Sequence, residues 1–195
     1  MLPNIRQHSI MVARVAEVLV DGLPNPFSGS SRKAREFRQV VIAGALLHDI
    51  AKTQCLDNSC DHAKLGAEIC RQLGYRKIAP LVEEHVILKQ HEPSRHAQGL
   101  FTAREIVYYA DKRVRHHTIV SLAKRLDYII THYGRNDHRL EKLIRDNFNK
   151  CLALEQHLFN FLDFSADQLA DRVCRACSAL PTSAPGTTEE DTPIP

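Results

Sequence analysis

The stretch VVIAGALLHDIAK, residues 40–52, decides the fold class of this chain. Small or apolar residues fill positions 40–47, and His48 and Asp49 follow them directly. A helix with this segment is apolar on all sides, so we expect its C-terminal half to lie in the core. An unpaired carboxylate is costly to bury, and Asp49 therefore needs a counter-charge or a donor. A divalent metal would supply the counter-charge, and His48 at the helix end could supply the hydrogen-bond donor.

Further potential metal ligands also lie in apolar segments of predicted helices. They are His8 on the apolar stripe of the first helix, His62 in HAKLGAE, His85 in VEEHV and Asp111 after EIVYYA. Each one alone also fits a buried side chain with an ordinary hydrogen-bond partner. Separate helices that each point a ligand inward are a common way to build a metal site in a helical protein. Considered together, these residues indicate a metal centre.

Apolar periodicity near 3.6 residues continues through most of the chain and predicts helices rather than strands. Capping boxes, in which a Ser or Thr is followed three residues later by Glu or Gln, begin at Thr102 and Ser165. The segment HEPSRHAQG is predicted to be a loop, with His91 and His96 in solvent. The fold class that follows is an all-α bundle of about six to eight helices, over approximate ranges 4–22, 32–52, 61–73, 77–88, 102–112, 119–134, 140–161 and 165–180.

The predicted domain organisation has three parts. Residues 1–135 form a helical core that carries the metal site, and helices in 136–180 pack on that core. Residues 181–195 are rich in Pro, Thr, Ser and Glu and have almost nothing to bury, so they are expected to be disordered.

Composition limits the class of protein. Hydrophobic residues make up 44% and charged residues 25% of the chain, as in ordinary globular domains. No apolar run is long enough to span a bilayer, and no signal peptide is recognisable, so we expect a cytoplasmic protein without membrane contact. A net charge of +3 is too small to favour nucleic-acid binding through Lys124 and Arg125.

The six cysteines leave two interpretations open. Without an export signal, the simpler one is that they are reduced and partly buried. The other is a four-thiol zinc site made by the pair Cys55 and Cys60 together with the CxxC of Cys174 and Cys177.

The order of His8, His48-Asp49 and Asp111 resembles the HD-domain family of metal-dependent phosphohydrolases, over roughly residues 5–130. LLHDIAK resembles the family's signature helix in its HDIGK variant, with Ala51 in place of the glycine. YYADKRV resembles the last motif, and the segments HDIAK, HxxxGA and ADK are similar to those of symmetrical dinucleoside tetraphosphate hydrolases. The HHExxxGxGYP motif of cyclic-di-GMP phosphodiesterases is absent from the sequence.

The resemblance implies a binuclear metal centre. One divalent ion would be held by His8, His48, Asp49 and Asp111, and the second by His62, His85 and a bridging Asp49. Imidazole and carboxylate ligands completed by water suit Fe, Mn, Co, Ni or Mg better than a closed zinc site.

The implied activity is hydrolysis of a phosphate ester or anhydride of a nucleotide or similar small molecule, by a metal-activated hydroxide. Asp49 and Lys52 would be the catalytic residues, and Lys52 and Arg115 would bind the substrate phosphate. Lys52 also fits a solvent-exposed lysine at a helix end, and RVRHH around Arg115 also fits a solvated basic surface. A non-catalytic metal- or nucleotide-binding sensor is the alternative function, and the oligomeric state, including a homodimer, is left open.

Overall fold

A computed structural model of the chain describes residues 1–27, 29–57, 60–90 and 93–178. Within these ranges the fold is all-α apart from one small hairpin, which confirms the predicted fold class. The helices are α1 (Pro3–Gly22), α2 (Ser31–Leu47), α3 (His62–Gln72), α4 (Ala79–Glu84), α5 (Pro93–His96), α6 (Ala103–Lys112), α7 (Leu122–Tyr133), α8 (His138–Phe159) and α9 (Leu169–Ser178), with short 3-10 helices at Lys52–Cys55 and Ala166–Gln168. The predicted tail, 181–195, lies outside the described residues.

Helices α1, α2 and α6 pack against one another and form the centre of the molecule. The face of α1 that contains Ile5, Val12 and Leu19 is buried, and His8 lies on this same face. Helix α6 is the most deeply buried, because both Tyr108 and Tyr109 are fully inaccessible to solvent. The helices that carry these candidate ligands therefore form a rigid, close-packed core.

Local sequence sets the start of several helices. The capping box at Thr102 is present: the Thr102 backbone N–H donates to Glu105 Oε2 at 2.7 Å, and the Glu105 N–H donates to Thr102 Oγ1. Asp61 caps α3 by accepting hydrogen bonds from the backbone N–H groups of residues 63 and 64. Because these caps satisfy N–H groups that have no partner within their own helix, they fix where α6 and α3 begin.

Helix α2 ends earlier than the predicted residue 52. After Leu47 the chain tightens into turns, in which the Ile50 N–H donates to the Leu47 carbonyl and the Lys52 N–H donates to the Asp49 carbonyl. In a continuous α-helix, adjacent side chains diverge by about 100°. The tighter winding lets His48 and Asp49 both contribute to one cluster.

Two further predictions between residues 77 and 99 were wrong. Helix α4 covers only Ala79–Glu84 of the predicted 77–88, and part of the predicted loop forms the short helix α5. His96 is fully buried, with Nε2 at 2.6 Å from Glu105 Oε1 and its ring stacked on Phe101. It was expected in solvent because its sequence neighbours are polar, whereas its actual surroundings come from distant segments. His91 lies outside the described residues.

Two glycines allow α4 to lie close to its neighbours. A Cβ at Gly44 of α2 would lie 2.3 Å from Leu81 Cδ2, and a Cβ at Gly66 of α3 would lie 2.8 Å from Val82 Cγ1. Any side chain at these positions would overpack the contact.

The C-terminal helices are joined to the core through a hairpin and an arginine. Strands β1 (Val114–Arg115) and β2 (Thr118–Ile119) pair antiparallel, directly after α6. Arg113 is buried, and its guanidinium donates to Glu155 Oε2 and to the carbonyls of Val120 and Ala166. Helix α8 packs on α6 and α7, and α9 packs on α1.

Among the described residues, no helix combines the length and apolarity needed to cross a membrane.

Candidate metal centre

Five elements bring the six predicted metal ligands to one place. Five of these residues are less than 10% exposed, and His62 is partly exposed. The six are His8 on α1, His48 at the end of α2, Asp49 in the turn after it, His62 at the start of α3, His85 at the end of α4 and Asp111 near the end of α6.

The first group of ligand atoms surrounds Asp111 Oδ1. His8 Nε2 lies 3.0 Å and His48 Nε2 lies 3.7 Å from this oxygen. Asp49 Oδ2 lies 3.9 Å from His8 Nε2 and 3.5 Å from His48 Nε2. His8, His48 and Asp111 each place one donor atom within 4.8 Å of the others.

The second group surrounds the other oxygen of Asp49. Its Oδ1 lies 3.4 Å from His62 Nε2 and 3.5 Å from His85 Nε2. The two imidazole Nε2 atoms are 3.2 Å apart. The two oxygens of one carboxylate therefore face two different sets of histidines, which is the geometry of a bridging ligand.

Backbone carbonyls select the tautomer of three of the histidines. Nδ1–H donates to the His116 carbonyl in His8, to the Ala45 carbonyl in His48 and to the Val82 carbonyl in His85, at 2.9, 2.7 and 2.7 Å. With the proton on Nδ1, a neutral imidazole presents a bare lone pair at Nε2. Metal-ligating histidines are oriented in this way by a hydrogen bond at their other nitrogen.

The donor set fits divalent ions. Lone pairs on Nε2 face carboxylate oxygens, and in the described part of the chain His48 Nε2 and Asp49 Oδ1 are buried without any hydrogen-bond partner. Orphaned buried polar atoms of this kind need an explanation. Neighbouring ligands on an ion with bonds of about 2.1 Å are about 3.0–3.4 Å apart, and the closest separations here fall in that range.

The pKa shifts of the two carboxylates and of His85 agree with this interpretation. Burial alone would raise the pKa of Asp49, but the neighbouring His48 outweighs it and holds the pKa well below the ordinary value. Asp111 behaves similarly, since Lys112 and His8 lower its pKa against the effect of burial. Burial lowers the pKa of His85 to about 4, so this imidazole is neutral near pH 7 and able to bind a metal.

Two lysines contact the carboxylates. Lys112 is buried, and its Nζ donates to Asp111 Oδ2 at 2.9 Å and to the His85 carbonyl at 2.8 Å, which leaves Oδ1 for the cluster. Sequence reasoning missed this positioning role, although a lysine directly after a buried aspartate was visible. Lys52 Nζ lies 2.8 Å from Asp49 Oδ2, and its side chain is 35% exposed. The cluster is therefore open to solvent beside Lys52 and the partly exposed His62.

Arg125 on helix α7 is a second residue whose position beside the cluster the sequence analysis missed. Arg125, considered only as a surface contact for nucleic acid, is buried, with Nη2 at 4.0 Å from Asp111 Oδ1. It lies on the apolar stripe of α7 with Leu122 and Ile129, and an arginine on such a stripe was the available signal. Arg115 is exposed, with its guanidinium 5.7 Å from the centre of the Tyr128 ring, and no contact joins it to the ligand cluster.

No cysteine belongs to the groups of potential metal ligands in the described part of the chain. Cys55 and Cys60 form a disulfide, so the interpretation of all cysteines as reduced was wrong, and this pair cannot supply thiolates to a zinc site. Cys174 and Cys177 lie on α9 as free thiols. In the described ranges, the groups of potential ligands contain only histidine and aspartate.

Replacing Cys174 and Cys177 together by serine is expected to leave the metal content of the purified protein unchanged. The reason is that the candidate ligands lie on other elements and provide nitrogen and oxygen atoms. Elemental analysis of protein prepared without chelator measures this directly. Loss of one tightly bound zinc from the double variant would instead assign a metal to these thiols.

Comparison with known proteins agrees with the geometry. The family model described as the HD domain matches residues 5–129, which contain all six candidate ligands. Neither the curated proteins nor the solved structures gave a match. The matched region is more than half of the chain and has the all-α architecture of the family. The chain belongs to the HD-domain family.

Proposed function

We propose that this protein is a metal-dependent phosphohydrolase that cleaves a phosphate ester or anhydride of a nucleotide or similar small molecule. The observation that carries the proposal is the position of Asp49, whose two oxygens face two histidine groups within one buried cluster. Bound there, divalent ions such as Fe, Mn, Co, Ni or Mg would lower the pKa of a water molecule and neutralise charge on phosphoryl oxygens. The family assignment and the orphaned donor atoms support the same class of chemistry.

The chain's own residues would hold and orient the reactants. Asp49 bridges the two groups, and the carbonyl-bound rings of His8, His48 and His85 keep Nε2 directed into the cluster. Lys52 lies at the solvent-accessible edge, where its ammonium can contact a substrate phosphate. Burial would lower its pKa, but Asp49 and Asp111 raise the pKa above the ordinary value, so the ammonium stays charged.

Arg115 would bind a part of the substrate that lies farther from the ligand cluster than the phosphate held by Lys52. Arg115 is exposed and its guanidinium lies 5.7 Å from the centre of the Tyr128 ring, a cation–π arrangement in which a guanidinium can still donate hydrogen bonds to phosphate. Lys52 and Arg115 are therefore proposed as the substrate-binding residues.

The test combines metal content with a substrate screen on the full chain. Protein purified without chelator is expected to contain about two divalent ions per chain and to hydrolyse at least one of p-nitrophenyl phosphate, bis-p-nitrophenyl phosphate and the nucleoside mono-, di- and triphosphates. Chelation should abolish turnover, and Mn, Fe, Co, Ni or Mg should restore it. Full metal loading and nucleotide binding without any turnover would assign a sensor function and overturn the proposal.

A further inference from the structure

Arg125 is a buried arginine whose side chain forms no hydrogen bond with any residue that the structure describes. Only 8% of the residue is exposed, and its Nε is buried without a hydrogen-bond partner. Within the described ranges, its guanidinium is held by two non-hydrogen-bonding contacts. It lies 5.6 Å from the centre of the Tyr128 ring and 4.0 Å from Asp111 Oδ1. A guanidinium carries five N–H donors, and burying them unpaired is costly.

Asp111 has other partners and does not require this arginine. Its Oδ2 accepts a hydrogen bond from Lys112 at 2.9 Å, and its Oδ1 lies 3.0 Å from His8 Nε2. At 4.0 Å the guanidinium of Arg125 is too far for a hydrogen bond to the carboxylate. The ion pair with Asp111 therefore leaves the N–H donors of Arg125 without an acceptor at hydrogen-bond distance.

The charge of the loaded centre calls for an anion. Two carboxylates, Asp49 and Asp111, lie among three cationic side chains: Lys52, Lys112 and Arg125. Two divalent ions added to this set would leave a large positive excess around the ligands. An anionic group entering the cluster would balance that excess and at the same time satisfy the donors of Arg125.

We propose that Arg125 donates hydrogen bonds to a non-bridging phosphoryl oxygen of the substrate, beside the Asp111 side of the metal centre. The proposal deepens the phosphohydrolase function and rests on it. Arginine is well suited to this contact because its planar fork matches the geometry of phosphate oxygens. Tyr128 acts as a positioning residue, since its ring lies against the guanidiniums of Arg125 and Arg115.

The variant Arg125→Met tests the contact, because methionine keeps an unbranched apolar stem and removes the donors and the charge. With the metal-loaded protein, kcat/KM for the substrate found in the screen should fall about 10²- to 10³-fold, as for the loss of an oxyanion donor. Inorganic phosphate, titrated by calorimetry, should bind at least tenfold more weakly. Metal content and melting temperature should stay near those of the unchanged protein. The matched control is Lys124→Met, an exposed neighbour that should change none of these quantities.

A structural role for Arg125 would give a different pattern. If Arg125→Met loses metal while phosphate affinity per loaded site is unchanged, or if turnover is unaffected, the proposal is overturned. Should Arg125→Met fail to fold, Arg125→Lys keeps the charge but lacks the fork and should still weaken phosphate binding with full metal content. If the unchanged protein hydrolyses nothing in the screen, the proposed function fails, and the phosphate titration still decides the role of Arg125.

Discussion

Asp49→Ala is expected to abolish hydrolysis, with a fall in kcat/KM of at least roughly 10³-fold, because several interactions with the transition state are lost together. Asp49 presents one oxygen to His8 and His48 and the other to His62 and His85. Removing this carboxylate takes a ligand from both halves of the centre. Elemental analysis should show that most of the bound metal is lost.

The helical fold should survive this substitution. Asp49 lies in a turn after α2, where its carboxylate contacts Lys52 and the histidines of the cluster. Circular dichroism should therefore give an unchanged helical spectrum. Asp127→Ala, which removes an exposed carboxylate on α7, is the control and should keep both metal and activity. Full turnover by Asp49→Ala would exclude the metal-hydrolase function.

His85→Ala and His62→Ala are expected to remove about one metal equivalent each and to depress turnover by orders of magnitude. Their Nε2 atoms meet at 3.2 Å beside Asp49 Oδ1, whereas His8, His48 and Asp111 form a group of potential ligands that contains neither of them. The first ion should therefore remain bound in both variants. Both ions act on the same water and phosphoryl group in binuclear hydrolysis, so one ion alone is a poor catalyst.

Metal content per chain and turnover number should be measured on the same preparations. His138→Ala is the matched control, because this exposed histidine at the start of α8 belongs to neither group of potential ligands. Should both ligand variants keep full metal content and near-normal turnover, the centre would be mononuclear, with His62 and His85 serving only as packing residues.

The candidate ligands could be identified from sequence because their context is anomalous. His48 and Asp49 follow an uninterrupted apolar segment, and Asp111 follows another, so burial of a charge was foreseeable from each. The start of α6 could be predicted in the same way, since the cap at Thr102 is made by residues only three positions apart. Signals of this kind are local and therefore visible in one chain.

Features that depend on distant segments could not be read in this way. His96 lies in a polar stretch, and its burial depends on contacts that include Glu105 of α6 and His157 of α8. The apolar stripe of α7 indicates that Arg125 is buried, but nothing in the sequence of that helix shows that it lies beside Asp111. The disulfide of Cys55 and Cys60 depends on how the segment between α2 and α3 is folded, which the spacing of the cysteines alone does not fix.

Gly44 and Gly66 link the packing of the helices to the chemistry of the centre. Through them α4 lies directly against α2 and α3, and α4 ends at His85. Metal–ligand bonds tolerate deviations of only about 0.2 Å, which is less than the shift that a single added methyl group would impose here. By allowing this close approach, the two glycines set the distances between His85 and the other candidate ligands. Alanine at either position is therefore expected to change the metal content or the metal preference of the protein, although neither glycine is a candidate ligand.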